Sequence, residues 1–160
     1  MPTGIGYDSH RFAPGGPLHL GGLTLPLDYS LAGHSDGDAI AHAVTDAVLG
    51  AAAAGDIGEM FADSDPANRG RDSMEMLRLA VERVRHRGWV VAHVAVTVIA
   101  ERPRIAAHRD AMRAVLARAL ALDDASVSLK GKTNEGMGWV GRGEGLACIA
   151  VATLERAAPA

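Results

Sequence analysis

The sequence predicts an α+β domain, a two-layer sandwich in which one mixed four-stranded sheet is covered by helices on one face, with a small β-hairpin attached. Three observations carry this. Four stretches read as strands by alternation or β-branched content, and three longer ones repeat apolar residues at helical spacing. The 160 residues contain no internal repeat, low-complexity block or linker, so residues 1–160 are expected to form one domain.

Residues 3–12 form the first strand. Ile5, Tyr7 and Ser9 point one way, and Gly6, Asp8 and His10 the other. Residues 18–25 read as the hairpin, turning at Gly21-Gly22. Ser35 or Asp36 is the expected N-cap of a helix over about 38–54, striped by Ile40, Val44, Ala47, Val48 and Ala51. After a polar loop, a second helix runs from Asp72 or Ser73 to Arg87, with Met74, Leu77, Val81 and Val84 inward. Residues 89–100 are a β-branched strand. Pro103 sits near the start of a third helix over about 104–121. Residues 126–132 and 145–155 are the last two strands. Nothing remains to cover the second face of the sheet, which predicts an oligomer with sheets facing each other.

Composition excludes several classes. Sixteen basic against nineteen acidic residues leave a charge of −3, a poor match to nucleic acid or an anionic membrane surface. The single Cys148 excludes a disulfide framework and any multi-Cys zinc module, and it fits a reducing compartment. No apolar run is long enough to span a bilayer, and the first residues lack a secretory signal pattern. A cytoplasmic location is expected. Aromatics are only 4%, so the core must be aliphatic and Ala-rich.

Five stretches could carry chemistry. Asp8 and His10 share a strand face, and His42 lies one turn into the first long helix. These are zinc-type donors, and three protein ligands with an open position would make a catalytic site. Asp46, four residues after His42, is placed to accept that ring's second N–H. Chance Asp-x-His pairs and ordinary hydrogen-bonded histidines remain the alternative. His34-Ser35-Asp36-Gly37-Asp38 could be capping alone, or could present His34 to an anion. Gly55-Asp56-Ile57-Gly58 and Phe61-Ala62-Asp63-Ser64-Asp65-Pro66 are turn-like, or a loop that binds hydroxyls. Lys130 to Gly145 combines glycines with Lys132, Thr133 and Glu135. It lacks P-loop spacing, but suits phosphate, with Glu135 offering oxygen to a hard cation. A Gly-rich hairpin with solvated charges is the alternative. Ala100-Glu101-Arg102-Pro103-Arg104-Ile105-Ala106 closes a strand and opens a helix, where amides could read a base edge.

Taken in order, Asp8-x-His10, Gly33 to Asp38 leading to His42, Gly55 to Gly58, Phe61 to Pro66, Ile99 to Arg104, Lys132 to Glu135 and Gly141 to Gly145 resemble the 2-C-methyl-D-erythritol 2,4-cyclodiphosphate synthase family over nearly the whole chain. The resemblance implies a homotrimer with active sites at subunit interfaces. It implies zinc, or another divalent transition metal, on Asp8, His10 and His42, and Mg²⁺ or Mn²⁺ on Glu135. The implied reaction converts 4-diphosphocytidyl-2-C-methyl-D-erythritol 2-phosphate to the 2,4-cyclodiphosphate with release of CMP, in the non-mevalonate isoprenoid pathway. His34 and Thr133 would steady the phosphates. Ser35, Asp56, Ile57, Gly58 and the Phe61–Asp65 loop would hold the substrate's hydroxyl end. Residues Ala100 to Ala106 and Lys132, from a neighbouring chain, would hold cytidine and its phosphates. Trp139 and Arg142 complete the implied set, Arg142 lying near a trimer axis where an isoprenoid diphosphate can lodge. Arg104 replaces a frequent Lys, Ala62 a frequent Pro and Trp139 a frequent Phe; none removes a ligand. A zinc phosphoesterase and a non-enzymatic module with structural zinc are the competing classes.

Overall fold

The computed structural model describes residues 1–158. Its main sheet has the strand order β4-β1-β7-β5-β6. The strands are β1 (Thr3–Pro14), β4 (Tyr29–Leu31), β5 (Trp89–Ile99), β6 (Val127–Lys132) and β7 (Gly145–Arg156). The hairpin is β2 (Leu18–Leu20) with β3 (Leu23–Leu25). The long helices are α1 (Ala39–Ala51), α3 (Ser73–His86) and α4 (Arg109–Leu120), with single turns α2 (Ile57–Met60) and α5 (Gly138–Gly141).

The expected sheet thus has a fifth strand. β4 is three residues long and pairs only with the end of β1, Phe12 opposite Leu31. It is too short to declare itself by alternation. β1 and β7 run antiparallel, as do β7 and β5. β5 and β6 are parallel, a pairing that needs a crossover, and α4 supplies it.

Two helix starts differ from expectation. The cap of α1 is Asp38, not Ser35 or Asp36. Its Oδ1 accepts from Ile40 N and Ala41 N at 3.1 Å each, and from Gly21 N at 2.8 Å, while Oδ2 accepts from Gly22 N at 2.7 Å. One buried carboxylate therefore caps the helix and pins the hairpin turn to it. The third helix begins at Arg109 rather than 104, because a separate 3-10 turn, Ile105–Ala107, intervenes after Pro103.

The core lies between the helices and the inner sheet face, and is aliphatic as composition requires: Ile40, Val44, Leu77, Val96, Leu116 and Leu154 are fully buried. α1 lies directly on β1. A Cβ on Gly6 would stand 1.9 Å from the Ala43 carbonyl oxygen, and one on Gly4 2.2 Å from that of Ala47. The Gly-x-Gly of β1 against the alanines of α1 makes this approach possible, and it brings the helix's first turn over Asp8 and His10. The outer face is uncovered. Ile5 is 71% exposed and Tyr7 57%, in register with Val151 and Ile149 of β7. No helix among the described residues is long and apolar enough to cross a membrane.

Candidate metal centre and flanking clefts

Asp8 and His10 project inward from β1, and His42 meets them from the first turn of α1. Asp8 Oδ2 is 2.8 Å from His10 Nε2 and 3.1 Å from His42 Nδ1, and the two nitrogens are 3.3 Å apart. Ligands ~2.0–2.1 Å from a tetrahedral zinc lie ~3.3 Å from one another. The three atoms are thus one slightly contracted face of such a tetrahedron, with the fourth corner free. They form the only cluster of three or more His, Cys, Asp or Glu groups with metal-ligand proximity among the described residues.

The donor set fits a cation. His10 Nδ1 donates to the Ala32 carbonyl at 2.6 Å, which leaves Nε2 as a lone pair facing the other two ligands. Burial opposes charge on Asp8, but the facing His10 and His42 imidazoles outweigh it and hold the carboxyl at about 2. Burial likewise opposes charge on His10, but its bond to Asp8 and the Ala32 carbonyl raise its pKa above the ordinary histidine value. Without a cation the site attracts a proton, the smallest positive charge that can take its place.

The centre lines a cleft with Gly33, His34, Ser35, Ile57, Gly58, Phe61 and Asp63, together with Asn68 and Met76, which sequence reasoning missed. His34 is exposed at the mouth, its Nδ1 3.6 Å from Asp63 Oδ2. Ser64 and Asp65 line the adjoining depression. Asn68 holds this loop by donating to the Ala62 carbonyl at 3.0 Å and accepting from Arg71 at 2.9 Å, while the Arg71 guanidinium stacks 5.0 Å over Phe61. Asp56 caps α2 through Glu59 N at 2.8 Å and is not among the lining residues of this cleft.

A second cleft is lined by Ala100, Glu101, Pro103, Arg104, Ile105, Ala106, Lys132 and Thr133, with Arg109 and Gly131 added. Glu101 Oε1 accepts from Asn134 N at 3.0 Å and Gly136 N at 3.3 Å, which fixes the 134–136 turn. Thr133 Oγ1 donates to Glu135 Oε1 at 3.2 Å. Arg102 is not in this cleft; its guanidinium stacks on Tyr29 at 4.4 Å and Phe12 at 5.0 Å. Trp139 is part-exposed, and Arg142 Nε pairs with Glu144 at 2.6 Å. The two clefts share no lining residue within one chain.

Asp46 is a correction. It does not hold the second nitrogen of His42. Its Oδ1 accepts from Ile57 N at 2.8 Å, supporting the start of α2, because that unsatisfied amide lies within reach. His42 Nε2 meets Ser73 Oγ at 2.8 Å and Ser35 Oγ at 3.0 Å instead. Ser73 reads in sequence only as a helix start.

Comparison with known proteins bears on this geometry. A profile of the YgbB family matches residues 1–155. A protein of Gemmatimonas aurantiaca named 2-C-methyl-D-erythritol 2,4-cyclodiphosphate synthase is 60% identical over 154 residues, 96% of this chain and 93% of that one. The solved bifunctional IspDF from Campylobacter jejuni superposes with a TM-score of 0.93 at 38% identity, covering 97% of this chain and 42% of that longer one. A Plasmodium falciparum IspF, solved as a CDP complex, superposes with a TM-score of 0.85 at 31% identity, covering 98% and 97% of the two chains. The chain belongs to the YgbB family, with the 2-C-methyl-D-erythritol 2,4-cyclodiphosphate synthases.

Proposed function

We propose that this chain closes a cyclic diphosphate. The 2-phosphate of 4-diphosphocytidyl-2-C-methyl-D-erythritol 2-phosphate attacks the β-phosphorus, one P–O bond forms as another breaks, CMP leaves, and the 2,4-cyclodiphosphate of the non-mevalonate isoprenoid pathway results. The observation that carries this is the convergence of Asp8, His10 and His42 in the wall of a cleft that also presents His34 and Ser35.

The nucleophile is already an anion, so no strong base is required. The difficulty is holding two phosphates in line against their repulsion. A divalent cation on Asp8, His10 and His42 supplies charge withdrawal at the β-phosphate when bound. His34 offers a ring N–H to the same phosphates from the cleft mouth. Ser35, Ile57, Gly58 and the Phe61–Asp65 loop enclose the erythritol end, with Asp56 beside them at the cap of α2. Glu135 is the carboxylate for Mg²⁺ or Mn²⁺ accompanying the diphosphate, and Thr133 beside it donates to a phosphate oxygen. The 100–106 turn and Lys132 take the nucleotide; that a Plasmodium relative was solved with CDP supports nucleotide binding by this fold.

The two clefts are separate within one chain, and the outer sheet face is uncovered, with Ile5, Tyr7 and Val151 exposed on it. Both features support a homotrimer in which one chain's centre is completed by its neighbour's 100–106 and 132–135 segments. An isoprenoid diphosphate near Arg142 and a cytoplasmic location belong to the same reading. Protein crystallised directly from cells with an empty axial cavity would count against that lipid.

The direct test is incubation with the diphosphocytidyl substrate, Zn²⁺ and Mg²⁺, followed by phosphorus NMR. Cyclic diphosphate and CMP are expected; a linear phosphate product would point to hydrolysis and overturn the assignment.

A further inference from the structure

His42 can offer Nδ1 to a cation only if its proton sits on Nε2. Asp8 works against this, because its carboxylate is 3.1 Å from Nδ1 and attracts a proton there. Something on the far side of the ring must hold the proton at Nε2. Two hydroxyls face that nitrogen, Ser73 Oγ at 2.8 Å and Ser35 Oγ at 3.0 Å.

The two are not equivalent. Ser73 is fully buried at the first residue of α3; its Oγ makes a short hydrogen bond to Asp36 Oδ1 and lies 3.4 Å from Ser35 Oγ, so its single proton goes to the closer, charged acceptor. Asp36 is itself oriented by main-chain donors, Ser73 N at 3.1 Å and Asp38 N at 3.2 Å. Those partners all donate, so Asp36 is an acceptor on every side. The Ser73 oxygen, its proton committed, can only accept from His42 Nε2–H. Ser35 accepts from Gly37 N at 3.2 Å and keeps a proton of its own, so it can meet Nε2 in either sense and selects neither.

We propose that Asp36 and Ser73 are positioning residues that set the His42 tautomer, directing its Nδ1 lone pair at the metal position. This rests on the reading that Asp8, His10 and His42 hold the cation. His10 needs no such device, because the Ala32 carbonyl accepts from its Nδ1 and cannot donate. The two imidazoles are thus set by different means, one by main chain and one by a buried side-chain relay.

The test is long-range ¹H–¹⁵N NMR of the metal-free, ¹⁵N-labelled protein, with zinc titrations on the same samples. In the unsubstituted protein the His42 proton is expected on Nε2. Ser73→Ala is expected to move it toward Nδ1 and to weaken zinc binding by about 10–100-fold. Ser73→Thr, which keeps the hydroxyl, is expected to restore both. A proton on Nδ1 in the unsubstituted protein overturns the proposal, as does a Ser73→Ala protein with unchanged tautomer and zinc affinity, or a folded Ser73→Thr protein that restores neither. If Ser73→Ala does not fold, the tautomer of the unsubstituted protein decides alone. If that protein takes up no zinc, the metal reading fails, while its tautomer still decides this proposal.

Discussion

Replacing Gly6 by Ala tests how the fold builds the metal centre. The added methyl would lie 1.9 Å from the Ala43 carbonyl oxygen and 2.8 Å from Ala47 N, against a minimum near 3.0 Å for real contacts. Both obstructions are backbone, so no rotamer relieves them. β1 and α1 must separate locally by at least about 1.1 Å. Overpacking of this kind costs about 1–3 kcal/mol, and more where backbone must move. For a chain this size the melting temperature should fall by roughly 2–12 °C. The larger consequence is at the site. Ala43 adjoins His42, and ligand distances tolerate only about 0.2 Å of error. Gly6→Ala should therefore lose stoichiometric zinc, measured by elemental analysis after gel filtration, alongside the drop in Tm. Gly50→Ala, on the same helix with nothing within 4 Å of its new methyl, is the control. It should keep zinc and gain up to about 1 kcal/mol from helix propensity. A Gly6→Ala protein with unchanged Tm and one zinc per chain would refute the claim that this close approach sets the centre.

Further outcomes are expected. Asp8→Ala should abolish zinc uptake and slow CMP release by about a thousandfold or more, since cation stabilisation amounts to several kcal/mol; intact turnover would remove the metal from the mechanism. Asp38→Asn sets an NH₂ group against main-chain donors at the α1 start or the hairpin turn, and should cost about 1–3 kcal/mol in thermal unfolding, with faster hydrogen exchange at Gly21 and Gly22. The metal-free protein should respond to pH in two directions. Asp8, depressed to about 2, stabilises the fold above its unfolded value near 3.8 and loses that contribution as pH falls toward 2. His10, raised above 6.5, stabilises below that value and loses its contribution as pH climbs through its folded pKa. Zinc must displace the His10 proton, so apparent affinity should fall by about tenfold per pH unit below that pKa, read by competition with a chelator. Finally, coexpressed Asp8→Ala and Thr133→Ala chains should recover about a quarter of full activity if each site joins two subunits. No recovery on coexpression would place both half-sites in one chain.

Much of the site was legible because strand and helix periods are local. The alternation of residues 3–12 put Gly6, Asp8 and His10 on one face, and β1 presents them that way. The i,i+4 spacing correctly put Asp46 on the His42 side of α1, yet the amide of Ile57, eleven residues on, took its carboxylate. Asp36 read as a helix cap from its position before α1. It serves α3 instead, through Ser73, at a separation of 37 residues. β4 and the delayed start of α4 were missed because three-residue strands and 3-10 turns carry too little periodicity to register.

The sequence by itself determined the longer strands and helices, the aliphatic core and the donor types, since these follow from side-chain chemistry and from periods of two and 3.6 residues. Only the tertiary structure decided which carboxylate caps α1, which hydroxyl faces His42, and that the two clefts lie apart in one chain. Those outcomes depend on which buried donor finds which acceptor once distant segments are packed together, a competition that local spacing does not encode.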